Sequence, residues 1–459
     1  MGRYSLGCFA FVFSCLSFSE ASVAEENWPE VLTLDYALQR AAPNHPDIQV
    51  AGAVLEKARA GLLQAESQTG ITSTLSGRLR WIEPADVAPD QDHDDHRLSL
   101  FVNKRLYDFG RSAALESASE SLVLSQEQRY EDALNRHRIA IMAAYFDVVL
   151  ADLTNARDEE AMAVAFISAD RARDRNELGQ MSDIDVLEAE SQYQVIRLQR
   201  YRSSHLQRTT RSNLANVLDR PGNLPSELAM PDLDDILQRK IPDGIDEWLQ
   251  EVEQNNPLLV SSRAQLEQAQ QELAAARAFD NPVINAELEA SSYTRDMGGY
   301  DKLRATLSVD VPLITGGRAK AERAKSLAKV NETRAMLEQA RRQVQQSLLE
   351  LWSELRALKV DHDRAKALVD YRNLYLDRSR GLYEMEVKTD LGDAMSKTSD
   401  ARLQLARVEF NTALTWARIE ALMGRSVYET AGPADAVSDV AGSKVDASNN
   451  EQADKEKNP

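Results

Sequence analysis

Cysteine is missing from nearly all of this 459-residue chain: its two copies, Cys8 and Cys15, both fall in the first 24 residues. The 435 or so residues after them can form no disulfide, no thiolate metal site and no cysteine nucleophile. Aromatic residues make up only 6%, while alanine, leucine, glutamate, glutamine and arginine dominate, a composition of long helices rather than of a string of globules. A basic excess is missing too. Lys and Arg number 54 against 73 Asp and Glu, a formal charge of −19, and without a basic face nucleic acid is not a partner. The six histidines are scattered, no glycine-rich loop could cradle a phosphate, and there is no nucleophile elbow. The expectation is a protein that is not an enzyme and has no catalytic residue, cofactor or metal. Beyond the N-terminus no stretch approaches about 18 consecutive apolar residues, so any membrane crossing has to be made by strands.

The first residues read as an export signal. Arg3 precedes the apolar core "LGCFAFVFSCLSF", and "ASVA" ends in small residues suited to cleavage after Ala24. Residues 1–24 are therefore expected to be a signal peptide. Lipidation of Cys15 is the alternative, and bulky Phe13 in "VFSC" speaks against it.

The remainder is a repeat. "NHPDIQVAGAVLEKARAGLLQAE" (44–66) and "NNPLLVSSRAQLEQAQQELAAAR" (255–277) are identical at eight of 23 positions. Gly110-Arg111 corresponds to Gly317-Arg318, and "ELGQMSDIDVLEAE" to "YEMEVKTDLGDAMS". Each half reads helix, strand, strand, long helix, turn, second long helix. This divides the chain into a first repeat at 25–220, a proline-rich linker at 221–244, a second repeat at 245–426 and an acidic tail at 427–459 that lacks material for a core.

Strands are expected near 71–82, 97–107, 282–292 and 302–313. Each is two-faced: Leu303, Ala305, Leu307 and Val309 oppose Arg304, Thr306, Ser308 and Asp310, and Ile284, Ala286 and Leu288 oppose Asn285, Glu287 and Glu289. Strands of about ten residues, apolar outside and charged inside, fit an outer-membrane barrel. A soluble sheet with one wet face would alternate in the same way, and the export signal tips the balance. Four strands cannot close a membrane barrel, whose smallest form has about eight, whereas three copies would supply twelve. From 390 to 424 two apolar stripes recur at 3-4 spacing, one through Ala394, Thr398, Ala401 and Val408, the other through Leu403, Ala406, Phe410 and Ala413. Two seams mean a neighbour on each side, the arrangement of a tube wall. Between the first two strands lies "DQDHDDH", Asp90 to His96. Its Asp and His could bind a divalent cation, but a solvated extracellular loop has the same composition.

These residues together resemble the TolC family of outer-membrane efflux and secretion proteins. The resemblance spans roughly residues 31–426 and is carried by "LTLDYALQRAAPNHPDI", "RLYDFGR", "VDVPLITGGR", "ELGQMSDIDVLEAE" and "ALMGR". It implies a mainly α protein with membrane β: a homotrimer whose twelve-stranded barrel lies in outer-membrane lipid and continues as a long periplasmic α-helical barrel. It also implies partnership with a periplasmic adaptor (membrane fusion) protein and an inner-membrane pump, ABC-type or proton-driven. The family pattern places the periplasmic gate at Asp185, Tyr383 and Lys388, with Asp390 and Asp393 nearby, and the adaptor-contact tips at Gly179, Ser182, Glu386 and Thr389. Two departures stand out. Gly392 and Met395 occupy positions where acidic residues are usual, and Glu386 stands where a glycine is usual. A periplasmic coiled-coil adaptor or structural spacer without a pore is the alternative. Such an adaptor would carry one helical hairpin between β modules, and here the hairpin occurs twice.

Overall fold

A computed structural model of the chain describes residues 28–39, 45–87, 90–222, 224–225, 227–295, 301–385 and 391–427. The expected leader, the tail from 428 onward, and Glu386, Lys388, Thr389 and Asp390 lie outside the described residues. A short N-terminal segment, β1 (Val31–Leu32) and α1 (Leu34–Gln39), precedes the first repeat. That repeat runs α2 (Pro46–Ser67), β2 (Ile71–Arg78), β3 (Arg97–Tyr107), α3 (Arg111–Glu177) and α4 (Asp183–Val217). The connection holds β4 (Glu227–Leu228), α5 (Asp234–Leu237) and α6 (Asp246–Asn255). The second repeat consists of α7 (Pro257–Arg277), β5 (Val283–Tyr293), β6 (Leu303–Asp310), α8 (Arg318–Glu384) and α9 (Leu391–Leu422).

The halves match element by element. α3 and α8 are each 67 residues long. Neither contains proline, and Gly381 is the single glycine in the two, so nothing interrupts helix propagation over about 100 Å. α2 and α7 start alike, with Pro46 and Pro257 in their first turns behind side-chain caps from His45 and Asn256. Both strand-to-helix turns close on a left-handed residue, Gly110 at φ 89° and Gly317 at φ 86°. A Cβ is disfavoured there, so glycine is what lets a strand feed directly into a helix.

The strands form one antiparallel sheet in the order β2-β3-β5-β6, with a bulge between Arg105 and Tyr107. The strand windows read from the sequence agree in position, but β2 and β6 stop at Arg78 and Asp310 rather than at 82 and 313. Beyond Arg78 the pairing resumes in the same register after a short break, with a Trp81–Asp94 bridge, Asp95 N donating to Arg80 O and Ile82 N to His93 O, each at 2.8 Å. The long helices repeat the strand order as a layer: α3 packs against α4 on one side and α9 on the other, and α8 packs on α9.

The core sits midway along this layer. Ile141, Met142, Tyr145, Phe146 and Val148 of α3 meet Leu348 and Leu355 of α8, Phe410 and Ile419 of α9, and Leu233 and Ile236 of the connection. One window of α3 is long and apolar enough to cross a bilayer by composition. Its residues are instead the centre of this core, where Phe146 stacks on Phe410 with ring centroids 4.5 Å apart. Both stripes read on α9 are buried, the one through Ala394, Thr398 and Ala401 and the one through Leu403, Ala406 and Phe410. Tyr145 ties the N-terminal segment to the connection, because its buried hydroxyl lies 2.8 Å from Leu32 O and 2.6 Å from Ala229 O.

Candidate channel wall and periplasmic gate

In a soluble sheet the exposed face is polar and the covered face apolar. This sheet is the reverse. The register aligns Leu75, Leu100, Ala290 and Leu303 on one face, and that face is open, with Leu75 at 68% and Leu303 at 67% exposure. The opposite face carries Arg97, Ser99, Glu289, Ser291 and Arg304, and it is here that side chains are buried, Glu289 to 4% and Ser99 to 2%. Glu289 is held by Arg97 and Arg304, and Ser99 and Ser291 share a hydrogen bond of 2.7 Å. An exposed apolar face over a satisfied polar one suits lipid outside and water inside.

The acidic loop folds onto the polar side. Arg295, 3% exposed, holds Asp90, and Arg80 pairs with Asp95. His93 stacks on Trp81 with centroids 5.2 Å apart. Among the described residues no group of three or more His, Asp or Glu is arranged for a metal ion. Two of the loop's carboxylates, Asp90 and Asp95, are paired with arginines.

At the other end lies the first tip. α3 ends at Glu177, Gly179 takes a left-handed φ of 69°, and Gln180 N reaches back to Arg175 O at 2.7 Å. Ser182 then starts α4 with a reciprocal capping box, its Oγ accepting from Asp185 N at 3.3 Å and donating to the Asp185 carboxylate at 2.8 Å. The bonding partner of Asp185 here is Ser182, not Tyr383. Tyr383, in the last turn of α8, is half exposed. Asp393, in the first turn of α9, pairs with Lys397 at 2.6 Å.

Asp185, Tyr383 and Asp393 nevertheless surround one cavity of about 550 Å³, together with Arg171, Arg175, Gly392 and Met395. A second cavity, about 560 Å³, shares Asp185 and Asp393 and adds Glu188, Gln192 and Ser396. The structure thus brings together three residues named from the sequence, while Gly179 and Ser182 lie in the adjoining turn. Arg171 and Arg175 are lining residues that sequence reasoning misses. Their only sequence signal is a spacing of four on one face of α3, which is equally that of a solvated helix. Gly392 has a packing reason to be glycine: a Cβ would come 2.6 Å from Val164 Cγ2. An acidic side chain at that position would require the Val164 side chain to shift. These groups can exchange hydrogen bonds and ion pairs across a void; they form no nucleophile-base pair.

The sequence profile of the outer membrane efflux protein family matches residues 248–425, the second repeat. CyaE of Bordetella pertussis is 27% identical over 266 residues, 56% of this chain and 55% of that protein. A probable efflux pump outer membrane protein of Pseudomonas putida, TtgC, is 24% identical over 440 residues, 86% of this chain and 87% of its own. The second repeat therefore carries an outer membrane efflux protein domain, and over most of its length the chain is similar to outer-membrane efflux proteins. Its fold agrees: the crystal structure of the Campylobacter jejuni CmeC outer membrane channel superposes with a TM-score of 0.73 at 16% identity, covering 87% of both chains. This similarity places the chain in the outer membrane, extending into the periplasm, and the exposed apolar strand face suits lipid.

Proposed function

We propose that three copies of this chain form a continuous export conduit, a twelve-stranded barrel opening into a twelve-helix tunnel, which passes substrates delivered through a periplasmic adaptor and an inner-membrane pump. One observation carries this reading. The sheet and the helix layer are both open, with four members in the same repeat order, and both leave their two ends unsatisfied. β2 and β6 are unpaired edges of a kind that soluble proteins cover or blunt. α4 and α8, at the ends of the helix layer, expose apolar residues: Ile184, Leu187, Leu198 and Tyr201 on one, Val360, Tyr371 and Leu374 on the other. A neighbouring copy that pairs β6 with β2 and α8 with α4 closes both layers at once. Residues 25–220 and 245–426 then act as equivalent staves, and 221–244 joins them at the level of the core.

The closed end is the tip. Tyr383, Asp185 and Asp393 around one cavity, with Lys388 and Asp390 from the segment that follows α8 in sequence, are the groups that hold it shut, and Gly179, Ser182, Glu386 and Thr389 form the surface offered to the adaptor. A hydrogen bond to a carboxylate contributes about 1.5–3 kcal/mol when partly buried, and threefold symmetry repeats it. The combined change Tyr383→Phe and Lys388→Ser should therefore raise single-channel conductance in planar bilayers while the assembly survives. Equal conductance in parent and variant, both fully assembled, would assign closure to other residues.

A further inference from the structure

Part-way down the helical wall all four long helices are tied at one level. Arg157 of α3 donates to the Asp158 carboxylate at 2.7 Å and to Asp400 of α9 at 3.0 Å. Asp158 is 2% exposed and also accepts from Gln199 of α4 at 3.1 Å. Beside it Ser399 Oγ of α9 donates to Glu160 at 2.6 Å. α9 is in turn joined to α8, where Thr398 Oγ1 donates to Arg372 O at 3.3 Å. Immediately below this belt the ties between repeats end. The 560 Å³ cavity starts at Ala161, Ile196 and Ser396, one to three residues on from Glu160, Gln199 and Ser399, and the 550 Å³ cavity continues to the tip. Among the described residues no hydrogen bond or ion pair joins α9 to α3 or α4 in that lower stretch.

We infer that the Arg157–Asp158–Asp400 clasp, with Ser399–Glu160, is the pivot of the gate: below it α8 and α9 swing away from α3 and α4, and above it the four helices move as one body. Parting α9 from α3 at the belt would break the Arg157–Asp400 ion pair and the Ser399–Glu160 hydrogen bond, while Asp158 would keep Arg157 and Gln199. Below the belt α9 meets α3 through close apolar contact, Gly392 against Val164, so parting the helices there breaks no polar tie among the described residues. The clasp is particular to the first repeat, because α8 has buried Ala365 where α3 has Asp158. These are positioning residues, and the inference rests on the gate reading above.

The test uses the full chain, which has no cysteine after Cys15, in the Tyr383→Phe, Lys388→Ser background. Glu160→Cys with Ser399→Cys places a thiol pair in the belt; Ser168→Cys with Ser396→Cys places one across the cavity below. Each pair is joined by a short bis-maleimide, and channel conductance is read before and after. The belt linker should leave the opened conductance unchanged, and the lower linker should abolish the gain over the parent. Loss of the gain with the belt linker overturns the pivot, because the belt would then have to move. If neither linker alters conductance, or the background conducts no better than the parent, the gate reading fails and takes the pivot with it. A second variant works without linkers: Asp400→Asn with Ser399→Ala frees α9 but leaves Arg157, Asp158 and Gln199 together. It should raise conductance further in the opened background and hardly at all in the parent; no change in the opened background also overturns the pivot.

Discussion

The two repeats solve the same backbone problems, sometimes with the same residue and sometimes not. Gly110 and Gly317 are a matched pair with nearly equal φ, yet the residue before each differs, Phe109 at φ 54° and Gly316 at φ 59°. The second long helices also end alike, on Asp219 at φ 55° and Gly424 at φ 72°. What separates the last pair is space. A Cβ on Gly424 would lie 2.3 Å from Asn255 O, whereas Asp219 holds the left-handed conformation with a side chain in place. Conformation alone permits a substitute for glycine in the left-handed region, at a cost; conformation combined with a close backbone does not. At 219/424 packing adds to the demand of the turn, whereas at 109/316, where a Cβ on Gly316 would meet nothing within 4 Å, the turn alone leaves room for a substitute.

Exchanging residues between the repeats tests that rule. The largest effect is expected at the helix ends. Gly424→Asp, which copies the first repeat, combines left-handed strain with overlap on Asn255 and should destabilise by about 3 kcal/mol. Asp219→Gly should be nearly neutral. Thermal unfolding in detergent would show the asymmetry, and equal losses at both sites would break the rule.

The next effect depends on pH. His137 and Val344 occupy the same position in α3 and α8 and both are buried. Burial, reinforced by His45 at 4.2 Å between ring centroids, pushes the His137 imidazole down to about 4 from the usual 6.5. As pH falls below 6.5 the unfolded chain takes up a proton that the folded chain refuses until about 4, so His137 makes folding less favourable across that window. Facing it are His45 and Asp47 from the start of α2, Asp132 and Arg136 on its own helix, and Asp219 after α4. Asp132, raised by burial, contributes in the opposite sense, because the folded chain binds its proton first. His137→Val should thus flatten the loss of stability between pH 6.5 and 4 and change little above it. An unchanged slope in a melting series would show that the imidazole is not desolvated.

The smallest effect belongs to a pair that does the same job with different chemistry. Tyr145 and Trp352 stand at equivalent positions in α3 and α8, and each reaches a carbonyl of the connecting segment, Ala229 O from the hydroxyl and Pro242 O at 3.2 Å from the indole nitrogen. Tyr145→Phe and Trp352→Phe should each cost about 1 kcal/mol from the lost hydrogen bond, with extra packing loss in the tryptophan case. Additive losses in the double variant are expected, as the sites share no partner.

The same contrast between local and long-range causes explains what can be read from the sequence. The repeat, the four strands, the two uninterrupted helices and both α9 stripes are legible because each depends on spacing within one segment. Strand ends are less so, since the apolar alternation through Leu79 and Trp81 does not reveal the break in the ladder between Arg78 and the Trp81–Asp94 bridge. At the tip, Asp185, Tyr383 and Asp393 are reached by resemblance. The sequence does not reveal that Asp185 belongs to the Ser182 capping box, although the S-x-x-D spacing is present, nor that Arg171 and Arg175 line the same cavity. The belt is invisible in it, because Arg157 and Asp400 are 243 residues apart and nothing in either neighbourhood marks them as partners. The open edges of the sheet and the helix layer likewise emerge only in three dimensions.

The central claim is that these open edges are closed by two further copies of the same chain. Native mass spectrometry of the protein extracted from outer membranes in mild detergent tests it directly. The account predicts a single species containing three chains, obtained only with detergent; a monodisperse monomer or dimer, or release by a salt wash alone, would contradict it.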